Sequence, residues 1–136
     1  MCGQGYKLTG DIPQGDPTYD AARANMIEPF MMPVRTQCTE LMNTTSAKRE
    51  WTSINGVNGT KFTNKTDTSK YIFLPAAGHF ENTNNYYAGS SSYYWSTGYD
   101  DEEDAVNMDP RPNNVYLTIY GRHCGHSIRA IRPWTW

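Results

Sequence analysis

The sequence predicts an α+β domain, with two short helices followed by a small twisted antiparallel sheet and long loops on one face. Helical patterning is confined to the first 42 residues, and the later apolar runs are short and often alternate with polar residues. Asn, Gly and Pro separate those runs, as expected for turns between strands. With 136 residues, the chain fits a single domain that spans residues 1–136.

Two helices are predicted near the start of the chain. The first covers the alanine-rich segment 19–26, with Asp16 or Thr18 as its cap, and the prolines that follow end it. The second covers 35–42, where Cys38 and the apolar residues three and four positions later share one face.

The remaining elements are predicted strands. The segments 51–54 and 60–63 form a hairpin around Asn55–Gly59, because Asn and Gly tolerate the positive φ that tight turns require. Further strands are predicted at 71–74, 93–96, 115–119 and 127–132.

Two long polar segments, 79–92 and 97–114, are predicted as loops, and loops of that length are often functional. The stretch 81–104 holds five tyrosines and one tryptophan among Asn, Ser and Gly, which is the composition of antibody binding loops. The alternative is that the rings fill the core. Strand alternation would send one of Tyr93 and Tyr94 to the core and the other to the surface.

Charge and hydropathy exclude several partner classes. The net charge of -2 provides no basic field for nucleic acid, and no apolar run is long enough to insert directly into a membrane. We therefore predict neither a nucleic-acid partner nor membrane insertion.

Cys38 and Cys124 are best interpreted as small hydrophobic residues, and a disulfide between them is the alternative. The flanking His123 and His126 do not converge with Cys124 in an extended strand, so we predict neither a metal site nor a catalytic pair there.

The acidic run 100–104 is interpreted as a solvated loop, with calcium binding or contact with a basic partner as alternatives. Its spacing matches no EF-hand loop. We predict no metal and no cofactor.

Five spaced phrases together resemble a known family. They are YDAARAN…MP…EL (19–41), W…INGVNGTKFTN (51–64), YIFLPAAG (71–78), YYWST (93–97) and R…GHSIRAIRP (122–133). In this order they resemble the FISUMP-type domains at the ends of surface lipoproteins of gut Bacteroidetes. The chain departs from that pattern at 30–34, where FMMPV replaces WRMPT, and at 94–97, where YWST replaces YWSS.

The resemblance implies a C-type-lectin-like fold with neighbouring termini, similar to the variable proteins of diversity-generating retroelements. In those proteins, substitutions are directed to one loop face, while framework positions such as Trp95, Gly125, Ile128 and Arg129 would stay fixed. The implied ligand-binding, variable positions are His79, Asn84, Tyr86, Ser91, Tyr99, Asn107, Arg111, Asn113 and His123.

The sequence thus predicts a non-catalytic binding or adhesion module at the cell surface of a gut bacterium or on its phage. Its partner would be a cell-surface protein or a glycan. One alternative is a structural surface or fimbrial-tip domain without a ligand. Another is an enzyme resembling the formylglycine-generating enzymes, which would need reactive, convergent cysteines. Trp134 and Trp136 are predicted to close the sheet against the segment 6–8 or to enter an interface with another chain.

Overall fold

The computed structural model describes residues 9–133, and the predictions for segments 6–8 and 134–136 lie outside them. Within that range, α1 (Ala21–Asn25) and α2 (Arg35–Met42) precede eight strands, which confirms the α+β class. The strands are β1 (Ala47–Ile54), β2 (Val57–Asn64), β3 (Tyr71–Pro75), β4 (His79–Glu81), β5 (Asn84–Tyr86), β6 (Tyr94–Tyr99), β7 (Asp104–Pro110) and β8 (Val115–Gly121). No helix in this part of the chain is long and apolar enough to cross a membrane.

The strands form three antiparallel sheets, ordered β1-β2-β3, β4-β5 and β6-β7-β8. A single core joins α2 to the two larger sheets. It contains Cys38, Phe62, Leu74, Tyr94, Met108 and Val115. Cys38 and Cys124 are buried thiols and do not form a disulfide with each other. Burial raises the pKa of the Cys38 thiol to about 11.

Helix α2 has the predicted bounds, whereas α1 is shorter and has a different cap. Asp20, not Asp16 or Thr18, caps α1, because its carboxylate accepts a hydrogen bond from the backbone N–H of Arg23 at 3.0 Å. The same buried carboxylate accepts from Gly15 N and Met32 N, both at 2.9 Å. Asp20 therefore ties the segments before and after α1 to the start of the helix.

The predicted hairpin is confirmed. Strands β1 and β2 pair from Ala47 with Asn64 to Ile54 with Val57. Only Asn55 and Gly56 form its turn, with φ of 51° and 79°. The second Asn-Gly pair lies inside β2 instead.

Strand β7 corrects the prediction of a loop over 97–114. It is the central strand of its sheet, and every residue from 105 to 110 is buried. The sequence DAVNMDP does not predict a strand, because Asn107 and Asp109 are typical of loops and a proline ends the segment. The predicted loop over 79–92 likewise contains the short hairpin β4–β5.

The predicted strand at 127–132 does not form a continuous ladder. Ser127 bridges Tyr94 in parallel, and Ile131 bridges Met31 in antiparallel orientation. Because successive residues pair with different elements, no regular strand results. The Met31–Ile131 bridge joins the segment between α1 and α2 to the C-terminal segment of the described chain.

Replacing Asp20 with Ala should lower the free energy of unfolding by about 2–4 kcal/mol, because three backbone N–H groups lose their acceptor. Urea unfolding would measure this. Asp16→Ala is the matched control, since among residues 9–133 its carboxylate accepts one backbone hydrogen bond, from Thr18 N, and it should cost about 1 kcal/mol or less. Equal losses for the two variants would contradict the role assigned to Asp20.

Candidate ligand-binding face

The tyrosine-rich stretch folds onto the outer face of sheet β6–β8. Trp95 lies opposite Asn107, which lies opposite Thr118, so these three side chains share the outer face. Tyr94 and Met108, which also lie opposite each other, point instead into the apolar core. The alternation of β6 and β7 thus separates an apolar face from a polar, aromatic one.

Two further segments cover this outer face. Phe80 of β4 exchanges backbone hydrogen bonds with Gly125 at 2.8 and 2.7 Å. Ser127 accepts from Trp95 N and donates to Tyr93 O, both at 2.9 Å. These bonds hold hairpin β4–β5 and the segment 124–128 side by side, which brings His79 and His126 against the sheet.

The result is a group of rings that we name the imidazole–tyrosine cluster. The His79 ring centroid lies 4.6 Å from that of Tyr93, 5.3 Å from that of Tyr120 and 5.5 Å from that of His126. Tyr86 and Tyr87 lie against the same imidazole at 5.6 and 5.9 Å. The cluster therefore comprises His79, Tyr86, Tyr87, Tyr93, Tyr120 and His126.

The cluster has a buried layer and an exposed layer. Tyr93 is only 2% exposed, whereas Tyr86 and Tyr87 are 41% and 59% exposed. The prediction that Tyr93 and Tyr94 would divide between surface and core is wrong, because β4–β5 and the segment 124–128 bury the outer ring as well. Tyr86 and Tyr87 thus rest on buried rings while offering much of their own surface to solvent.

The backbone around Tyr87 is held in an uncommon conformation. Tyr87 has a φ of 59°, which is rare for a bulky non-glycine residue. Its carbonyl accepts hydrogen bonds from the N–H groups of Ser90 and Ser91, both at 3.0 Å, so the serines fix this turn. Ser92, which follows, is fully buried. Ser91 is buried as well, so two of these three serines are part of the packed interior.

Gly78 sets the position of the strand that carries Tyr86. It has a φ of 70°, and an added Cβ would lie 2.1 Å from the carbonyl oxygen of Tyr86. Any other residue would push β5 away from β4, so the close approach requires glycine.

One ion pair supports the face from below. Asp109 is fully buried, and its Oδ2 accepts from Arg111 Nε at 2.7 Å. Burial raises the pKa of the Asp109 carboxyl, and the Arg111 guanidinium opposes that rise. Arg111 also lies 5.3 Å from the Tyr116 ring centroid, so this surface arginine is already engaged.

His126 is held as a neutral ring. It stacks on Trp95 with centroids 4.0 Å apart, and neither of its ring nitrogens has a hydrogen-bond partner among residues 9–133. Burial, reinforced by the nearby His79, lowers the pKa of His126 to about 3.

The structure divides the nine predicted binding positions. Five are exposed and one, Tyr99, is partly exposed; the exposed five are Asn84, Tyr86, Arg111, Asn113 and His123. His79, Ser91 and Asn107 are buried, which corrects their assignment as ligand contacts, because their side chains lie beneath the surface. His79 instead supports the exposed rings.

Asp109 and His126 belong to this face although the sequence does not predict it. Asp109 lies in a segment predicted to be a loop, and His126 lies in a predicted strand. The signal in the sequence is the alternation of Asn107 and Asp109 with Val106 and Met108, which is typical of a strand.

The acidic run forms a compact turn away from the cluster. One carboxylate oxygen from each of Asp100, Asp101 and Asp104 lies within 4.8 Å of the others. Asp101 Oδ1 accepts from the backbone N–H groups of Glu103 and Asp104, both at 2.8 Å. This turn accounts for the position of Asp101 without a cation.

A family model described as a domain of unknown function, DUF8237, matches residues 37–134. That range includes all eight strands and every residue of the imidazole–tyrosine cluster. No curated protein and no solved structure matches the chain.

Replacing His126 with Phe should change how stability depends on pH. The folded-state pKa of about 3 lies below the ordinary value of 6.5, so the wild-type protein loses stability as pH falls from 6.5 toward 3. Phe cannot bind a proton and leaves no nitrogen unpaired. The unfolding free energy of the variant should therefore rise relative to wild type on acidification.

Urea unfolding at pH values of about 7.5 and about 4.5 would measure this difference. Leu117→Phe, at an exposed position of the same sheet, is the control; it introduces the same ring without removing a titratable group and should follow the wild-type profile. An identical pH dependence for wild type and His126→Phe would contradict a neutral, buried His126.

Proposed function

The chain belongs to the DUF8237 family, and we propose that it is a non-catalytic binding module that recognises a cell-surface ligand through Tyr86, Tyr87 and their surroundings. The observation that carries this proposal is the layering of the cluster. Two exposed tyrosine rings pack against the buried His79 ring, which in turn packs on the buried Tyr93 ring. Rings held in place before binding lose little conformational freedom on contact, and this favours affinity.

The chemistry of the face fits a ligand with both apolar and hydrogen-bonding surface. Tyrosine rings stack on sugars or anchor protein side chains, and the exposed amide of Asn84 lies 3.4 Å from the Tyr86 hydroxyl. Arg111 is neutralised by Asp109. Recognition would therefore depend on rings and amides rather than on net charge.

A catalytic role has less support. Cys38 lies in the apolar core with its pKa raised to about 11, so very little reactive thiolate forms at neutral pH. The buried histidines pack against rings rather than against a hydroxyl or thiol nucleophile.

We further propose that the domain has a C-type-lectin-like fold and stands on the surface of a gut bacterium or its phage. The fold is supported by two short helices that precede antiparallel sheets. The location rests on the resemblance to FISUMP-type surface domains.

The binding proposal can be tested with multimerised protein on two panels, one of glycans and one of purified cell-surface ectodomains. Tyr86→Ala/Tyr87→Ala should weaken any binding by at least about tenfold, since each anchoring ring is worth about 1–2 kcal/mol. The control is Tyr71→Ala, a ring that is 53% exposed on a different sheet. It should leave binding unchanged.

No binding on either panel, or equal binding by wild type and the double variant, would overturn the proposal. Thermal unfolding of all variants separates lost binding from lost fold. Because Tyr86 and Tyr87 both pack against the His79 ring, the double variant should unfold at a lower temperature than wild type. Binding is therefore compared well below the unfolding midpoint of the double variant.

We also propose that a retroelement directs substitutions to this face. Burial restricts the positions at which a substitution would leave the fold intact. Deep sequencing of the 3′ half of the gene in its source population should find substitutions at Asn84, Tyr86, Asn113 and His123. His79, Ser91 and Asn107 should stay fixed, because new side chains there would disrupt buried packing. Uniform invariance across the exposed positions would exclude diversification and leave a binding face of fixed sequence.

A further inference from the structure

Strand β8 forms an open edge of sheet β6–β8, because it pairs with β7 alone. At the turn between the two strands, Arg111 N donates to Asn114 O at 2.8 Å. Hydrogen-bonded pairs recur at every second residue of an antiparallel ladder, so Thr118 bonds to β7 while Leu117 and Ile119 direct their N–H and C=O groups away from it. Among residues 9–133, no hydrogen bond reaches these outward groups.

The apolar face of β8 is exposed as well. Leu117 lies opposite Met108, and Ile119 lies opposite Val106. Helix α2 packs against β6 and β7. Met108 and Val106 are buried, whereas Leu117 and Ile119 are 36% and 50% exposed. Within the described chain, the apolar surface of the core therefore continues without a cover to the open edge.

The edges of the other strands are protected in ways that β8 is not. In β6, Thr97 accepts from Ile12 N and donates to Pro33 O, both at 2.9 Å, so other segments cover that edge. Strand β1 carries three charged residues, 48–50, and the short strand β3 ends in Pro75. Strand β8 has seven residues with no charge and no proline. Such an edge is a template for pairing with another strand.

We propose that β8 pairs with β8 of a second copy of this chain, in antiparallel orientation about a two-fold axis at Thr118. The two three-stranded sheets would then form one continuous sheet of six strands. Thr118 is the middle residue of β8, so this register pairs all seven residues. It also places Leu117 opposite Ile119 of the second copy, and both of these residues have backbone groups that point outward.

The sequence of β8 is self-complementary in this register. Leu117 meets Ile119, Tyr116 meets Tyr120, and Thr118 meets Thr118 of the second copy. Apolar, aromatic and Thr–Thr pairs across two strands are stabilising, and no like charges lie opposite each other. Leu117 and Ile119 of the two copies would together form an apolar group of four side chains. These matches favour a second copy over an unrelated extended peptide as the partner.

Sedimentation equilibrium of the full chain over roughly 5–500 µM tests the proposal, and we expect a dimer with a dissociation constant below about 100 µM. Ile119→Lys should weaken association by at least about tenfold, because lysine on an edge strand opposes pairing and would lie opposite an apolar residue. The matched control is Val57→Lys, which changes a residue that is 48% exposed on β2 and should leave association unchanged.

A second pair of variants tests the register. Leu117→Glu should also weaken self-association, since it places a carboxylate opposite Ile119 of the second copy. An equimolar mixture of Leu117→Glu and Ile119→Lys should associate more tightly than either variant alone, because the introduced carboxylate and ammonium groups would lie opposite each other. Thermal unfolding of each variant would check that it is folded.

A wild-type chain that stays monomeric up to about 500 µM would overturn the proposal and leave the edge to a different partner. Equal association of Ile119→Lys and Val57→Lys would overturn it too, because the copies would then meet through another surface. A mixture that associates no better than the single variants would contradict the register. Tyr86→Ala/Tyr87→Ala should dimerise like wild type, so this test and the ligand-binding test can fail independently.

Discussion

The burial of strand β7 on both faces is the constraint on which the rest of the structure depends. As the central strand of its sheet, it must satisfy its backbone groups with β6 on one side and β8 on the other. Its apolar residues Val106 and Met108 complete the core. Its polar residues Asn107 and Asp109 point the other way, so a second set of elements must cover them.

The polar side chains of this outer face are held by specific partners. Asn107 accepts from Thr118 Oγ1 at 2.8 Å, and Asp109 pairs with Arg111. Tyr93 lies over them, and its pKa is raised by burial and by the nearby Asp109 carboxylate. Hairpin β4–β5 then places the exposed Tyr86 ring against the buried His79 ring. Cys38 and Cys124 form no disulfide, so this packing is held by hydrogen bonds, ring contacts and an ion pair.

Arg111 and Arg122 follow neighbouring strands of this sheet and have different partners. Arg111 follows β7 directly and is neutralised by Asp109 two residues earlier, so it supports Tyr116. Arg122 follows β8, and its guanidinium contacts the backbone oxygen of Asp101 and the Tyr99 ring. Identical side chains at the ends of neighbouring strands therefore have different partners, because the residues that precede them differ.

The sequence by itself determined the elements whose signals are local. Helix α2 follows from apolar spacing, and the β1–β2 turn follows from an Asn-Gly pair that tolerates positive φ. The concentration of tyrosine, serine and asparagine likewise indicated the segment that contributes Tyr86 and Tyr87 to the candidate binding face. Only the tertiary structure decided which of those residues are accessible. The burial of Asn107 depends on pairing with Trp95 and Thr118, and these contacts join segments that are distant in sequence. No local pattern encodes such pairing. A polar residue is expected to be exposed to solvent unless the partners that bury it are known.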